Sequence, residues 1–181
     1  MMDFDILAEP RNQADKQALL QEVNESPFIG QMTLHELDHH IERKSILFFY
    51  EEDTLSAFSA WIPFAKDWVE LGPFFTREAY RGAGLGKRTV ISAIDANRAL
   101  GRNMYGVTKN DVMKHIFTKH GLAETPLFKL PQPVLQYLVV KTNPARIVRG
   151  LQKLKPNEKV AHYIQIKDNS AIEAEHGSSR S

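Results

Sequence analysis

The sequence predicts an α/β chain in which a mixed sheet carries helices packed against it. Three observations lead there. The stretches "SILFFYEEDTLSAFSAWIPF" and "DWVELGPFF" read as three consecutive strands, with β-branched and aromatic residues between turn signals. Segments with helical spacing then follow, at 84–100 and 110–120. Strict alternation of strand and helix is missing, which sets the chain apart from a doubly wound parallel sheet.

In chain order, the alternation in "DFDILAEP" predicts a first strand closed by Pro10. Ala14, Ala18, Leu19, Leu20 and Val23 form an imperfect apolar stripe on a helix over about 12–24. A shorter helix over about 33–43 starts at Thr33, with Glu36 completing a capping box. Leu34, Leu37 and Ile41 mark its inner side. The hairpin turns at 51–54, and Gly72 and Pro73 predict a bulge or bend in the third strand. On the helix over 84–100, Thr89, Val90, Ala93, Asn97 and Leu100 share one side, with Lys87, Arg88, Asp95, Arg98 and Arg102 opposite. Asn97 and Ile91 break that stripe. "NMYGVT" is a strand, and Val112, Met113, Ile116, Phe117 and His120 line the inner face of the next helix, closed by Gly121 as a left-handed terminator. Two last strands are expected near "LFKL" and "VLQYLVVKT".

The bulk properties suit one globular domain. Of 181 residues, 43% are hydrophobic and 25% charged, and the formal net charge is +1. That balance gives no electrostatic argument for nucleic acid or an anionic membrane. The absence of cysteine removes disulfides, thiolate zinc sites and a thiol nucleophile together. With no signal-peptide pattern at the start and no apolar run of spanning length, the expectation is a soluble, cytoplasmic protein. Beyond 142 the character changes. "PARIVRGLQKLKP" predicts an amphipathic helix, "KVAHYIQI" one more strand, and 168–181 a polar, disordered tail. The division is therefore 1–142 as the main domain, 143–167 as an extension and 168–181 as the tail. Lys141, Arg146, Arg149, Lys153, Lys155 and Lys159 face only Glu158 in that region, which raises nucleic-acid binding as a minor alternative.

Two motifs compete to define the chemistry. His35–His39 is a literal H-E-x-x-H, a spacing that puts two imidazoles on one helix face with a glutamate as general base. Its extended form fails, since Glu42 replaces the glycine and Ser45 the third histidine. No third ligand is singled out among Glu51, Glu52 and Glu70, so no metal is expected. The other motif is "YRGAGLGKR" at 80–88, with Gly82, Gly84 and Gly86 between a strand and a helix. Glycines let a backbone approach a ligand closely, and the free N–H groups of a helix start favour an anion. Lys87 stands where a dinucleotide fingerprint needs glycine, and Arg81 and Arg88 occupy two required positions of a Walker loop.

The R-x-x-G-x-G pattern of Arg81, Gly84 and Gly86 resembles the pyrophosphate loop of the GNAT superfamily of N-acetyltransferases. "VTKNDVMKHIFTKHGL" is similar to a later block of that family through Asn110, Phe117, Gly121 and Leu122. The resemblance covers roughly 3–140. It implies a mainly antiparallel sheet with helices on both faces and a splayed strand pair at the acyl-CoA site. It also implies an acetyl-CoA co-substrate and an amine acceptor on a small molecule or a protein. Separately from the resemblance, a homodimer is a candidate assembly. By the same resemblance, backbone groups of Phe74 and Thr76 pair with pantetheine. Arg81, Gly82, Gly84, Gly86 and Lys87 hold the pyrophosphate, Asn110 bonds the pantetheine arm, and Glu70 is the general base. Many members carry a tyrosine acid where this chain has Phe117. Proton transfer then falls to Glu70 with water, or to His115, His120 or another group. The alternative is a protein that binds acyl-CoA and transfers little.

Overall fold

The computed structural model describes residues 4–26, 32–141 and 160–167. A seven-stranded sheet in the order β1-β2-β3-β4-β5-β7-β6 organises them. β1 (Asp5–Leu7), β2 (Ile46–Glu51), β3 (Thr54–Ala65) and β4 (Trp68–Thr76) form an antiparallel run. β5 (Asn103–Thr108) joins β4 in parallel, and β7 (Ala161–Gln165) lies between β5 and β6 (Ala123–Glu124), antiparallel to both. The strand expected in "KVAHYIQI" is therefore an inner strand of the sheet, which runs past position 142. The helix expected over 145–154 and the tail over 168–181 lie outside the described residues.

Adjacent strand residues point to opposite faces, and the buried clusters divide accordingly. Val69, Leu71 and Met104 pack with Val90, Ala93 and Ile94 of α3 (Leu85–Ala99) and with Ile116 and Phe117 of α4 (Asp111–Lys119). On the other face, Leu19 and Val23 of α1 (Gln13–Glu25) and Leu37 of α2 (Leu34–Glu42) cover Phe48, Phe58 and Phe75. Trp68 and Tyr105, also on that face, meet Val134 of α5 (Gln132–Lys141). Burial at about 25 cal/mol per Å² of apolar surface drives each layer onto the sheet.

Local chemistry sets the helix starts. Asn12 accepts from the Asp15 N–H at 2.8 Å, and the capping box of Thr33 and Glu36 closes with bonds of 2.7 and 3.2 Å. Asn97, a misfit on an apolar stripe, is buried with its amide satisfied: Nδ2 donates to the Ala93 carbonyl at 2.8 Å and Oδ1 accepts from Arg102 at 3.2 Å. Gly121, with φ of 84°, ends α4 as expected.

Several expectations are corrected. Ala14, Ala18, Leu34, Leu100 and Val112 are exposed, while Leu85 and Ile94 fill the core side of α3. Leu100 is the C-cap of α3, beyond its last turn, and Val112 sits in the first turn of α4. The stretches "LFKL" and "VLQYLVVKT" are a short 3-10 turn (Leu127–Lys129) and helix α5. The apolar run "LVV" suggested a strand, but short apolar runs do not distinguish strand from helix. Pro131 and Pro133 begin a helix here: the Val134 and Leu135 N–H groups bond the Pro131 carbonyl at 3.0 and 3.1 Å. Val134, Tyr137, Leu138 and Lys141 then share one face, and Val139 and Val140 face solvent.

Candidate active site

β4 and β5 pair only through Trp68–Asn103, Val69–Met104 and Glu70–Tyr105. Past that point β4 continues to Thr76 along β3, whereas β5 continues to Thr108 along β7. The two strands therefore open away from each other, and the β5-facing edge of 71–76 has no strand partner among the described residues. The opening starts where the β3–β4 register shifts: Ser59 faces Phe74 but Trp61 faces Leu71, so β3 advances two residues while β4 advances three. The additional residue falls at Gly72–Pro73, the bulge the sequence anticipated. Gly72 has φ of 121°, a conformation that glycine tolerates.

The glycine loop follows the open end of β4. Gly82 and Gly84 have φ of 85° and 82°, and a Cβ built on either meets nothing within 4 Å, so the backbone is left bare to its surroundings. Gly84 is the N-cap of α3 and supplies no side-chain cap, and the first turn holds no acidic residue. By contrast α1, α2 and α4 each have a side-chain cap and an acid in their first turn. The first i to i−4 bond of α3 runs from the Arg88 N–H to the Gly84 carbonyl, so the earlier amides have no intrahelical acceptor, and a helix start of this kind suits an anion. Arg81 and Lys87 are exposed beside it, and Arg81 Nε reaches the Thr76 carbonyl at 3.4 Å. A Cβ at Gly86 would lie 3.4 Å from Thr76 Oγ1, so this glycine lets α3 start close against the end of β4. Thr76, Arg81, Gly82, Gly84, Gly86 and Lys87 thus come together in one place.

Asn110 caps α4, its Oδ1 accepting from Val112 and Met113 N–H at 2.9 and 3.4 Å. The Nδ2 hydrogens are the donors this role leaves for another partner. Phe117 is 1% exposed, tilted on Tyr163 with ring centroids 5.5 Å apart. It is core. His115 and His120 belong to α4 and its C-cap, across the sheet from Glu70.

Glu70 sits at the last rung before the strands part and is 7% exposed. It points to the α5 face, where its Oε2 accepts from Tyr137 O–H at 2.5 Å and from the Lys141 ammonium. Tyr137 is stacked on Phe64 with centroids 4.1 Å apart. Beside them burial, then the Glu70 charge, pushes the Tyr105 phenol above its ordinary pKa, and Tyr105 shares a 2.8 Å hydrogen bond with His162 Nδ1. Sequence reasoning missed Tyr137 and Lys141 as neighbours of Glu70, and His162 as the partner of Tyr105. Helical spacing of 134, 137, 138 and 141 was the available signal for the first two.

A cavity of about 670 Å³ opens between α1, the start of β3 and the residues leading into the loop, lined among others by Glu22, Glu25, Arg77, Tyr80 and Arg81. It touches the loop and lies away from Glu70. The H-E-x-x-H residues are employed otherwise: Glu36 is half of the capping box, Asp38 pairs with Lys16, and the two imidazoles lie 6.4 Å apart. Among the described residues no group of three His, Cys, Asp or Glu is placed to hold a metal, and no helix is long and apolar enough to cross a membrane.

No family model and no curated protein matches the chain. Solved structures do. N-acetylglutamate synthase from Neisseria gonorrhoeae, in complex with coenzyme A and N-acetyl-glutamate, superposes with a TM-score of 0.63 at 16% identity, over 91% of this chain and 35% of its own. Rv2747 from Mycobacterium tuberculosis, in complex with CoA and NLQ, gives 0.62 at 16% identity, over 90% and 98%. An acetyltransferase of the GNAT family from Staphylococcus aureus gives 0.56 at 13%, over 90% and 98%. The chain spans about a third of the length of the synthase it matches. At these identities the likeness concerns architecture, and the architecture is plain: this chain has the GNAT fold.

Proposed function

We propose that the chain is an acyltransferase that moves an acetyl group from acetyl-CoA to a primary amine. The observation carrying this reading is the opening between β4 and β5, which leads directly to an uncapped, glycine-flanked helix start. The open edge at Phe74 and Thr76 suits an extended amide-bearing arm, which pairs with it as a strand would. The amides of α3 with Arg81 and Lys87 suit a pyrophosphate, and Asn110 Nδ2 suits a carbonyl of the arm. Coenzyme A is bound in two of the similar solved structures, the synthase and Rv2747, which is consistent with that assignment.

For transfer, the amine must lose a proton beside the thioester carbonyl. Glu70 is the base in this reading, directly or through water, and a backbone N–H near Phe74 stabilises the developing oxyanion. Because Phe117 has no proton to give, the departing thiolate takes its proton from the Glu70 side of the opening, where Tyr137 carries the nearest hydroxyl. Phe117 also motivates a second reading, a protein that binds acyl-CoA without efficient transfer. Release of CoA thiol from acetyl-CoA across a panel of peptides, polyamines, aminoglycosides and amino acids separates the two. Binding without thiol release under any acceptor would favour the second. Absence of CoA binding by calorimetry would end both.

A further inference from the structure

α5 comes between β6 and β7 in chain order and lies across the face of the sheet at Glu70. Its last residue, Lys141, brings a primary amine onto the Glu70 carboxylate. The stem passes the Tyr137 ring, with Nζ 5.2 Å from its centroid, and about a third of the side chain stays open to solvent. The amine is therefore held where the β4–β5 opening begins, and it is not buried. The flexible four-carbon stem gives the amine reach along that opening.

We propose that Lys141 is a self-acetylation site, modified by acetyl-CoA bound in the same chain. This rests on the acyltransferase reading and adds an acceptor to it. Glu70 takes a proton from the Lys141 ammonium, and the freed amine attacks the thioester carbonyl. The C–N bond forms as the C–S bond breaks. Of the two protons lost from nitrogen, one ends on the CoA thiol and one in solvent. Held geometry makes the step unimolecular, because the amine and the bound thioester belong to one complex. The product amide has no charge, so modification dissolves the ion pair and frees Glu70 for an external amine.

Purified protein is incubated with acetyl-CoA without acceptor, and sites are mapped by peptide mass spectrometry over time. Calorimetric CoA binding and thiol release with the amine panel are measured in parallel. The expected result is one acetyl group at Lys141, formed at a rate independent of protein concentration and absent in Lys141→Arg. Glu70→Gln should slow it at least tenfold while circular dichroism shows the fold retained. Acetylation spread over exposed lysines and undiminished by Glu70→Gln would overturn the proposal as ordinary chemical acetylation. An unmodified Lys141 in protein that turns over other amines would overturn it and leave the acyltransferase reading standing. Absence of CoA binding would remove both.

Discussion

Gly106 of β5 gives its side-chain space to Phe117 of α4. A Cβ built on Gly106 would lie 2.7 Å from Cε2 and 2.9 Å from Cζ of that ring. The ring is pinned between the strand and Tyr163, so it has no room to yield. Gly106→Ala should therefore lower stability by about 1–3 kcal/mol through overpacking. Denaturant unfolding of the variant measures this. An unchanged midpoint would mean the ring moves freely.

The loop assignment is tested at Gly84. At φ of 82° any other residue is strained, but open space surrounds the position. Gly84→Ala should thus cost about 1 kcal/mol of stability and keep much of the acetyl-CoA affinity. Gly84→Asp adds a carboxylate at the end that would hold a pyrophosphate, and should abolish binding. Calorimetry on both, with melting curves as control, distinguishes charge from strain. Equal affinities for the aspartate variant and the parent would remove the loop from the site.

Much of this was legible in the sequence because it was local. The capping box at Thr33, the terminator at Gly121, the bulge at Gly72–Pro73 and the bounds of β5 each follow from a few adjacent residues. The glycine loop was legible for the same reason. The surroundings of Glu70 were not. Tyr137 and Lys141 lie 67 and 71 residues away along the chain, on a helix whose apolar run imitates a strand. His162 reaches Tyr105 only because β7 inserts between β5 and β6. Such neighbours arise from topology, which periodicity does not encode.

Two histidines should make stability sensitive to acid. Burial, then the nearby His39 charge, lowers the pKa of His40, and burial lowers that of His162, both below the ordinary value of 6.5. The unfolded chain then binds more protons than the native one as pH falls from 6.5 through the lowered native values. Stability is fully present above 6.5 and declines across that window. Replacing both with His40→Asn and His162→Gln should flatten the decline. Unfolding free energies measured across the window check it, and an unaltered slope would assign acid sensitivity to other groups.

The sharpest expectation concerns Glu70, where two roles make different demands. As a base it must accept the amine proton. As an anchor it need only hold α5 through Tyr137 and Lys141. Glu70→Gln keeps the shape and an acceptor for the Tyr137 hydroxyl while removing basicity. In the catalytic role it should lower kcat by about 10²–10⁴-fold and leave KM for acetyl-CoA near its parent value. In the anchoring role it should cost about 1 kcal/mol or less of stability, since Lys141 is partly solvated, with turnover little changed. Tyr137→Phe sharpens the comparison, because it removes the hydroxyl but keeps the stack on Phe64. If that hydroxyl protonates the departing thiolate, kcat falls in Tyr137→Phe and the alkaline limb of the pH–rate profile is altered. If it only orients Glu70, the acidic limb shifts instead and the alkaline limb stays in place. Turnover preserved in both variants would move the chemistry away from the β4–β5 rung altogether.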